Sequence, residues 1–130
     1  MREDQADEAD EITLSLPTDA DYSRVARAAV TNLALRTPME AQSIEDLLLA
    51  VDETLILLLN PELGHQATKL QITFRISPHE LALDAQLDHA PLASALDAEA
   101  RDRFDFMVTG LVDDHDLTPA GDRVRLTKSY

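Results

Sequence analysis

The sequence predicts a two-layer α/β sandwich, a mostly antiparallel sheet with helices packed on one face, in the order β-α-α-β-β-α-β-β. Three observations predict it. The stretch Ser43–Asn60 places Ile44, Leu47, Leu48, Val51, Leu55, Leu58 and Leu59 at three- and four-residue steps, the stripe of a half-buried helix. Thr68–Ile76 and Leu81–Leu87 alternate apolar and polar residues with the same period and are joined only by Ser77-Pro78-His79-Glu80, so they should pair antiparallel with one packed face. The chain has 130 residues, of which 45 % are hydrophobic, enough for one real core, and it carries no internal repeat or domain boundary.

The elements follow in order. Met1–Asp10 holds five acids and no apolar run, and reads as a disordered tail ahead of a domain over 11–130. Glu11–Leu16 alternates Ile12, Leu14 and Leu16 against Thr13 and Ser15, a half-buried strand that Pro17 ends. Thr18 and Asp21 form a capping-box signature for a helix to about Arg36, with Tyr22, Val25, Ala26, Ala29 and Leu33 as its stripe. Thr37-Pro38 breaks the chain, Ser43 and Asp46 supply the next capping box, and Pro61 stops the central helix. Pro61–Gln66 is expected to turn and His89–Ala95 to be a loop. Leu96, Phe104, Met107, Val108 and Leu111 predict a helix over about Asp97–Val112, and Asp113–Leu117 and Arg123–Thr127 two closing strands. Within the central helix Glu53 falls opposite the main stripe, beside Leu49, Ile56 and Leu57. A carboxylate among leucines suggests that something covers this second face.

Eleven bases against 25 acids give a formal charge of −14, a field that repels nucleic acid and anionic lipid and attracts basic protein surfaces. There is no cysteine, hence no disulfide frame or thiolate metal site. The acidic start is unlike a signal peptide, and Leu47–Leu59 is too short and too charged for a membrane span, so a soluble cytoplasmic protein is expected. His65, His79, His89 and His115 stand at no ligand spacing, and no serine has a base and orienting group to make it a nucleophile.

The words Ile44-Glu-Asp-Leu-Leu-Leu-Ala-Val-Asp-Glu53, the element order and the ending Gly110-Leu-Val-Asp-Asp-His-Asp-Leu … Gly121-Asp-Arg-Val-Arg-Leu-Thr-Lys128 resemble the anti-sigma-factor serine-kinase family, part of the ATPases related to histidine kinases. The resemblance spans about Ile12–Lys128 and is closest to actinobacterial regulators with degenerate nucleotide motifs. It implies that Glu53 matches the base that activates a substrate serine. The family's magnesium-binding Asn stands at Leu57 here, and an alkyl chain cannot ligate a hard cation. The family's Asp-x-Gly-x-Gly, whose Asp receives adenine, is matched at best by Asp88-His-Ala-Pro-Leu92, although strand alternation would put Leu87 in that slot. The Gly-rich lid is missing, since Asp97–Asp105 has no glycine. The arginine that contacts sigma in the family falls on Arg27.

Two function classes follow from the resemblance. The first is a binding protein, an anti-sigma factor that sequesters an alternative sigma factor and is released by a STAS-type anti-anti-sigma antagonist. In that reading ATP, magnesium or any other cofactor is not expected. The second is an ATP-dependent serine kinase that phosphorylates that antagonist, with Glu53 as base. The degenerate motifs favour the first. A dimerisation module without a sigma partner would share the same fold. The resemblance also implies a homodimer joined through the first strand and helix, regulating transcription in a stress response without itself touching nucleic acid or membrane.

Overall fold

The computed structural model describes residues 9–60, 66–91 and 97–130. The alternating stretches all form strands: β1 (Asp10–Pro17), β2 (Lys69–Ile76), β3 (Glu80–Leu87), β4 (Asp114–Leu117) and β5 (Arg123–Ser129). They make one five-stranded sheet of order β1-β2-β3-β5-β4 in which every neighbouring pair is antiparallel. Three helices, α1 (Ser23–Ala34), α2 (Ala41–Leu58) and α3 (Ala98–Val108), lie over one face. The expected α/β architecture and element order are therefore present.

The period-two pattern explains the layering. Leu70, Ile72 and Phe74 of β2, Leu81, Leu83, Ala85 and Leu87 of β3, and Val124 and Leu126 of β5 turn to one side and are buried. Leu47, Val51, Leu55 and Leu58 of α2 meet them, and Ala26 and Val30 of α1 and Phe104 and Val108 of α3 close the flanks. The β2–β3 connection is the expected short turn. The Ser77 amide donates to the Glu80 carbonyl at 2.9 Å, and the Ser77 hydroxyl accepts from the His79 and Glu80 amides.

The boundaries depart from expectation for local reasons. Asp10 belongs to β1 rather than to a tail; residues 1–8 lie outside the described part. Pro17 also stays in β1, opposite Lys69, because an edge strand tolerates a missing N–H. The first helix opens as a 3-10 turn, Ala20–Tyr22, whose cap is Asp19, accepting from the Asp21 amide at 2.9 Å. Thr18 is not its cap; its hydroxyl donates to the Ala67 carbonyl at 2.8 Å. α2 begins two residues before Ser43. Thr37 donates to the Ala34 carbonyl and accepts from the Met39 amide, Met39 is buried, and the Ile44 amide already reaches Glu40. The chain thus turns straight into the helix, and the Ser43/Asp46 capping box is unused. α3 stops at Val108 instead of Val112 because Thr109 already leaves the helix with a ψ of 127°, and Gly110 then takes a φ of 90°, in the left-handed region, on the way to β4. The turn expected over Pro61–Gln66 and the loop over His89–Ala95 fall largely on residues 61–65 and 92–96, outside the described residues.

Candidate functional site

α2 is the middle helix of the layer, packed on α1 at one side and α3 at the other. Successive residues of a helix point about 100° apart. Asp52 therefore faces α1 and Glu53 faces α3, and each meets an arginine. The Arg27 Nε donates to both Asp52 oxygens, at 3.0 and 3.3 Å. The Arg103 Nη1 donates to Glu53 Oε1 at 3.1 Å. Glu53 is the more enclosed carboxylate, its side chain 14 % exposed, while Arg103 lies largely in solvent. These two ion pairs clasp the three helices through adjacent residues of the motif.

The cover expected over the leucines beside Glu53 is α3, and it is partial. Leu57 is half-buried there, whereas Leu49 and Ile56 remain 51 % and 58 % exposed. The cleft between α2 and α3 holds about 210 Å³ and is lined by Glu53, Ile56, Leu57, Asn60, Ala100, Arg103 and Phe104. Pockets for small ligands commonly span roughly 300–1,000 Å³. The side chain one turn beyond Glu53 is alkyl, and the positive charge beside Glu53 is already supplied by Arg103. Among the described residues no group of His, Cys, Asp or Glu is placed to hold a metal.

Asp88 sits just past β3, after the buried Leu87. Its carboxylate accepts from the Thr68 amide at 2.9 Å, the Thr68 hydroxyl at 3.0 Å and the Lys69 amide at 3.2 Å. Desolvation pushes its pKa up, but the bonds from Lys69 and Thr68 outweigh it and hold the group down to about 2. The oxygens that adenine recognition would use are thus turned onto the start of β2. Asp88 lines a cleft with Lys69, Gln71 and Gln86, side chains of the outer sheet face. Asp88 and Glu53 line no common cleft among the described residues.

A larger groove of about 650 Å³ runs between the start of α1 and the end of α2, lined by Ala20, Ser23, Asp52, Leu55, Ile56, Leu59 and Asn60. Arg27 is not part of its lining but is ion-paired to Asp52, which is. The residue that sequence reasoning passed over is Arg103. Its only signal was that, with Arg101, it is one of two bases on an acidic helix; Arg101 is spent on the Thr118 and Pro119 carbonyls. Of the histidines, His115 is tied to Asp105 at 2.6 Å and stands edge-on to Phe104. No helix among the described residues is long and apolar enough to cross a membrane. Compared with known proteins, the sequence matches no protein-family model and no curated protein.

Proposed function

We propose that this chain is an anti-sigma factor of the histidine-kinase-like ATPase fold. It would hold an alternative sigma factor and release it by partner exchange with a STAS-type anti-anti-sigma protein, without phosphoryl transfer. The observation that carries the reading is the Glu53–Arg103 ion pair on the motif helix. A general base must offer a carboxylate oxygen to the substrate hydroxyl. Here an arginine from the neighbouring helix holds that carboxylate, and Leu57 stands where a magnesium ligand is needed. The helix therefore retains the family-like word while its acids serve helix packing.

Three further features support binding. The element order and the antiparallel sheet agree with the resemblance. The α1–α2 groove offers Leu55, Ile56 and Leu59 as an apolar floor, with Asp52 in its lining and Arg27 paired to Asp52. An exposed ion pair of that kind contributes about 0–1 kcal/mol to the fold, so exchanging it for a partner's charges costs little. The charge of −14 steers a basic partner helix toward the groove.

The test begins with a sigma factor copurified from the native host, its affinity then followed by fluorescence anisotropy. Affinity should fall as NaCl rises. Arg27→Ala should weaken binding by about tenfold, and Arg36→Ala, farther along the chain and outside the groove, by less than about twofold. Calorimetric titration with Mg–ATP should give no heat. Equal effects of the two substitutions would remove the groove assignment. Micromolar Mg–ATP binding that Glu53→Ala abolishes would restore the serine-kinase reading.

A further inference from the structure

The outer face of the sheet carries none of the described helices, and it holds a groove of about 430 Å³. That volume lies within the roughly 300–1,000 Å³ of small-molecule sites. Strand register explains the groove. Thr73, Ala82 and Thr127 occupy neighbouring outward positions of β2, β3 and β5 and make a low, half-buried floor. Arg75 lies opposite Ala82 and Arg125 opposite Asp84, so the two arginines flank the floor diagonally, about 10 Å apart across the strands and about 7 Å along them. The polar groups here have bonding capacity to spare, and most of it is donor capacity. Arg125 makes no hydrogen bond among the described residues, and its ion-pair partner Asp116 stands 4.0 Å away. Arg75 gives one N–H to Glu11 at 3.1 Å and keeps its other donors. The Thr73 and Thr127 hydroxyls have no partner among the described residues. The carboxylate of Asp84, by contrast, is taken up by Arg123 at 2.8 and 2.5 Å.

We propose that this groove binds a small dicarboxylate, held end to end between Arg75 and Arg125. Spare donors call for a ligand that only accepts, and an ionised carboxylate is acceptor-only. A guanidinium fork matches a carboxylate through two parallel N–H···O bonds. The face already shows that match where Arg123 holds Asp84, and a ligand repeats it at Arg125. The two arginines are about 12 Å apart at their Cα positions, and each end of a ligand adds charge-assisted bonds of about 2.8 Å, so a chain of about five carbons suits the gap better than a single carboxylate. The Thr73 and Thr127 hydroxyls lie between the arginines and donate to the inner oxygens. Glu11 and Asp84 also line the groove, but each is paired with an arginine. The net charge of −14 opposes an anion from a distance, whereas at about 0.15 M salt that field is screened beyond about 8 Å and the arginines on the groove decide. The site lies on the other side of the sheet from the α1–α2 groove and does not depend on the anti-sigma reading.

Calorimetric titration of the full chain with glutarate, at about 0.15 M NaCl, tests this. Glutarate should bind with a millimolar Kd, and acetate, which fills one end only, at least about tenfold more weakly. Arg75→Gln and Arg125→Gln should each weaken glutarate by about tenfold, while Arg24→Gln, which removes the same charge from α1, should change it by less than about twofold. All three arginines are exposed, and melting curves check that the variants fold. Amide NMR of the unaltered chain gives a reading free of any substitution: the Thr73, Ala82 and Thr127 signals should move with glutarate and those of α1 should stay. Neither heat nor shifts at tens of millimolar glutarate, acetate or inorganic phosphate binding as tightly as glutarate, equal effects of the three substitutions, or shifts confined to the helices would overturn the proposal.

Discussion

Asp88 illustrates how little a residue type says until its neighbours are known. Its charge and its place after β3 suit a ligand for an amino group, yet Thr68 and Lys69 take up its oxygens. A carboxylate whose folded pKa is depressed to about 2 contributes stability at any pH above its ordinary value, and that contribution is lost as pH falls through the folded value. The ordinary value is about 3.9, so the loss should run from about pH 4 to about pH 2. Asp88→Asn keeps the shape and removes the charge. Its melting temperature should lie below that of the parent at neutral pH, and the gap should close across that window. A gap that stays constant down to pH 2 would mean that the bonds matter through geometry alone. Glu53 and Arg103 carry the same lesson, because the identity of a candidate base did not reveal the cation that holds it.

At the scale of elements, caps decide where helices begin, and the cap that α3 uses was not among those read from the sequence. Asp97 directly precedes the run that forms α3, and its carboxylate accepts from the Ala100 amide at 2.9 Å. Replacing it by Ala should cost about 1 kcal/mol, while Asn, which caps equally well, should restore most of it. For a chain of this size that is a drop of about 4 °C in melting temperature. Thermal melts of Asp97→Ala and Asp97→Asn check the prediction, and equal losses would show that the side-chain bond is not what holds the helix start. The Ser43/Asp46 pair carried the fuller capping-box signature and failed. Tertiary burial of Met39 and the Thr37 bonds started α2 earlier, and burying a large apolar side chain outweighs the roughly 1 kcal/mol that a cap contributes. Strands were easier to read, because a one-residue slip in β2 or β3 would turn Ile72, Phe74, Leu81 and Leu83 into water.

For the whole molecule, the excess of acids is the largest uncompensated term on the surface. The described ion pairs are mostly exposed, each contributing about 0–1 kcal/mol, so salt has little to weaken. The repulsion among a net charge of −14 is what salt screens. The melting temperature should therefore rise by a few degrees, about 3 °C, as NaCl goes from low to molar concentration at neutral pH. Differential scanning calorimetry measures this, and a fall would mean that the helix-bridging pairs of Arg27 and Arg103 outweigh the global field.

The alternation in β1, β2, β3 and β5 and the stripe of α2 determined from the sequence alone that one sheet would bury a single face beneath helices. Each of those signals lies within a few neighbouring residues, and hydrophobic burial reads it the same way in any fold. The site's electrostatics lay beyond that reach. Arg27 and Asp52 are 25 positions apart, Arg103 and Glu53 are 50 apart, and Thr68 and Asp88 are 20 apart. The Arg123–Asp84 pair on the outer face likewise exists only once β3 and β5 lie side by side. Charges act through distance in space, and chain folding decides which of them become neighbours.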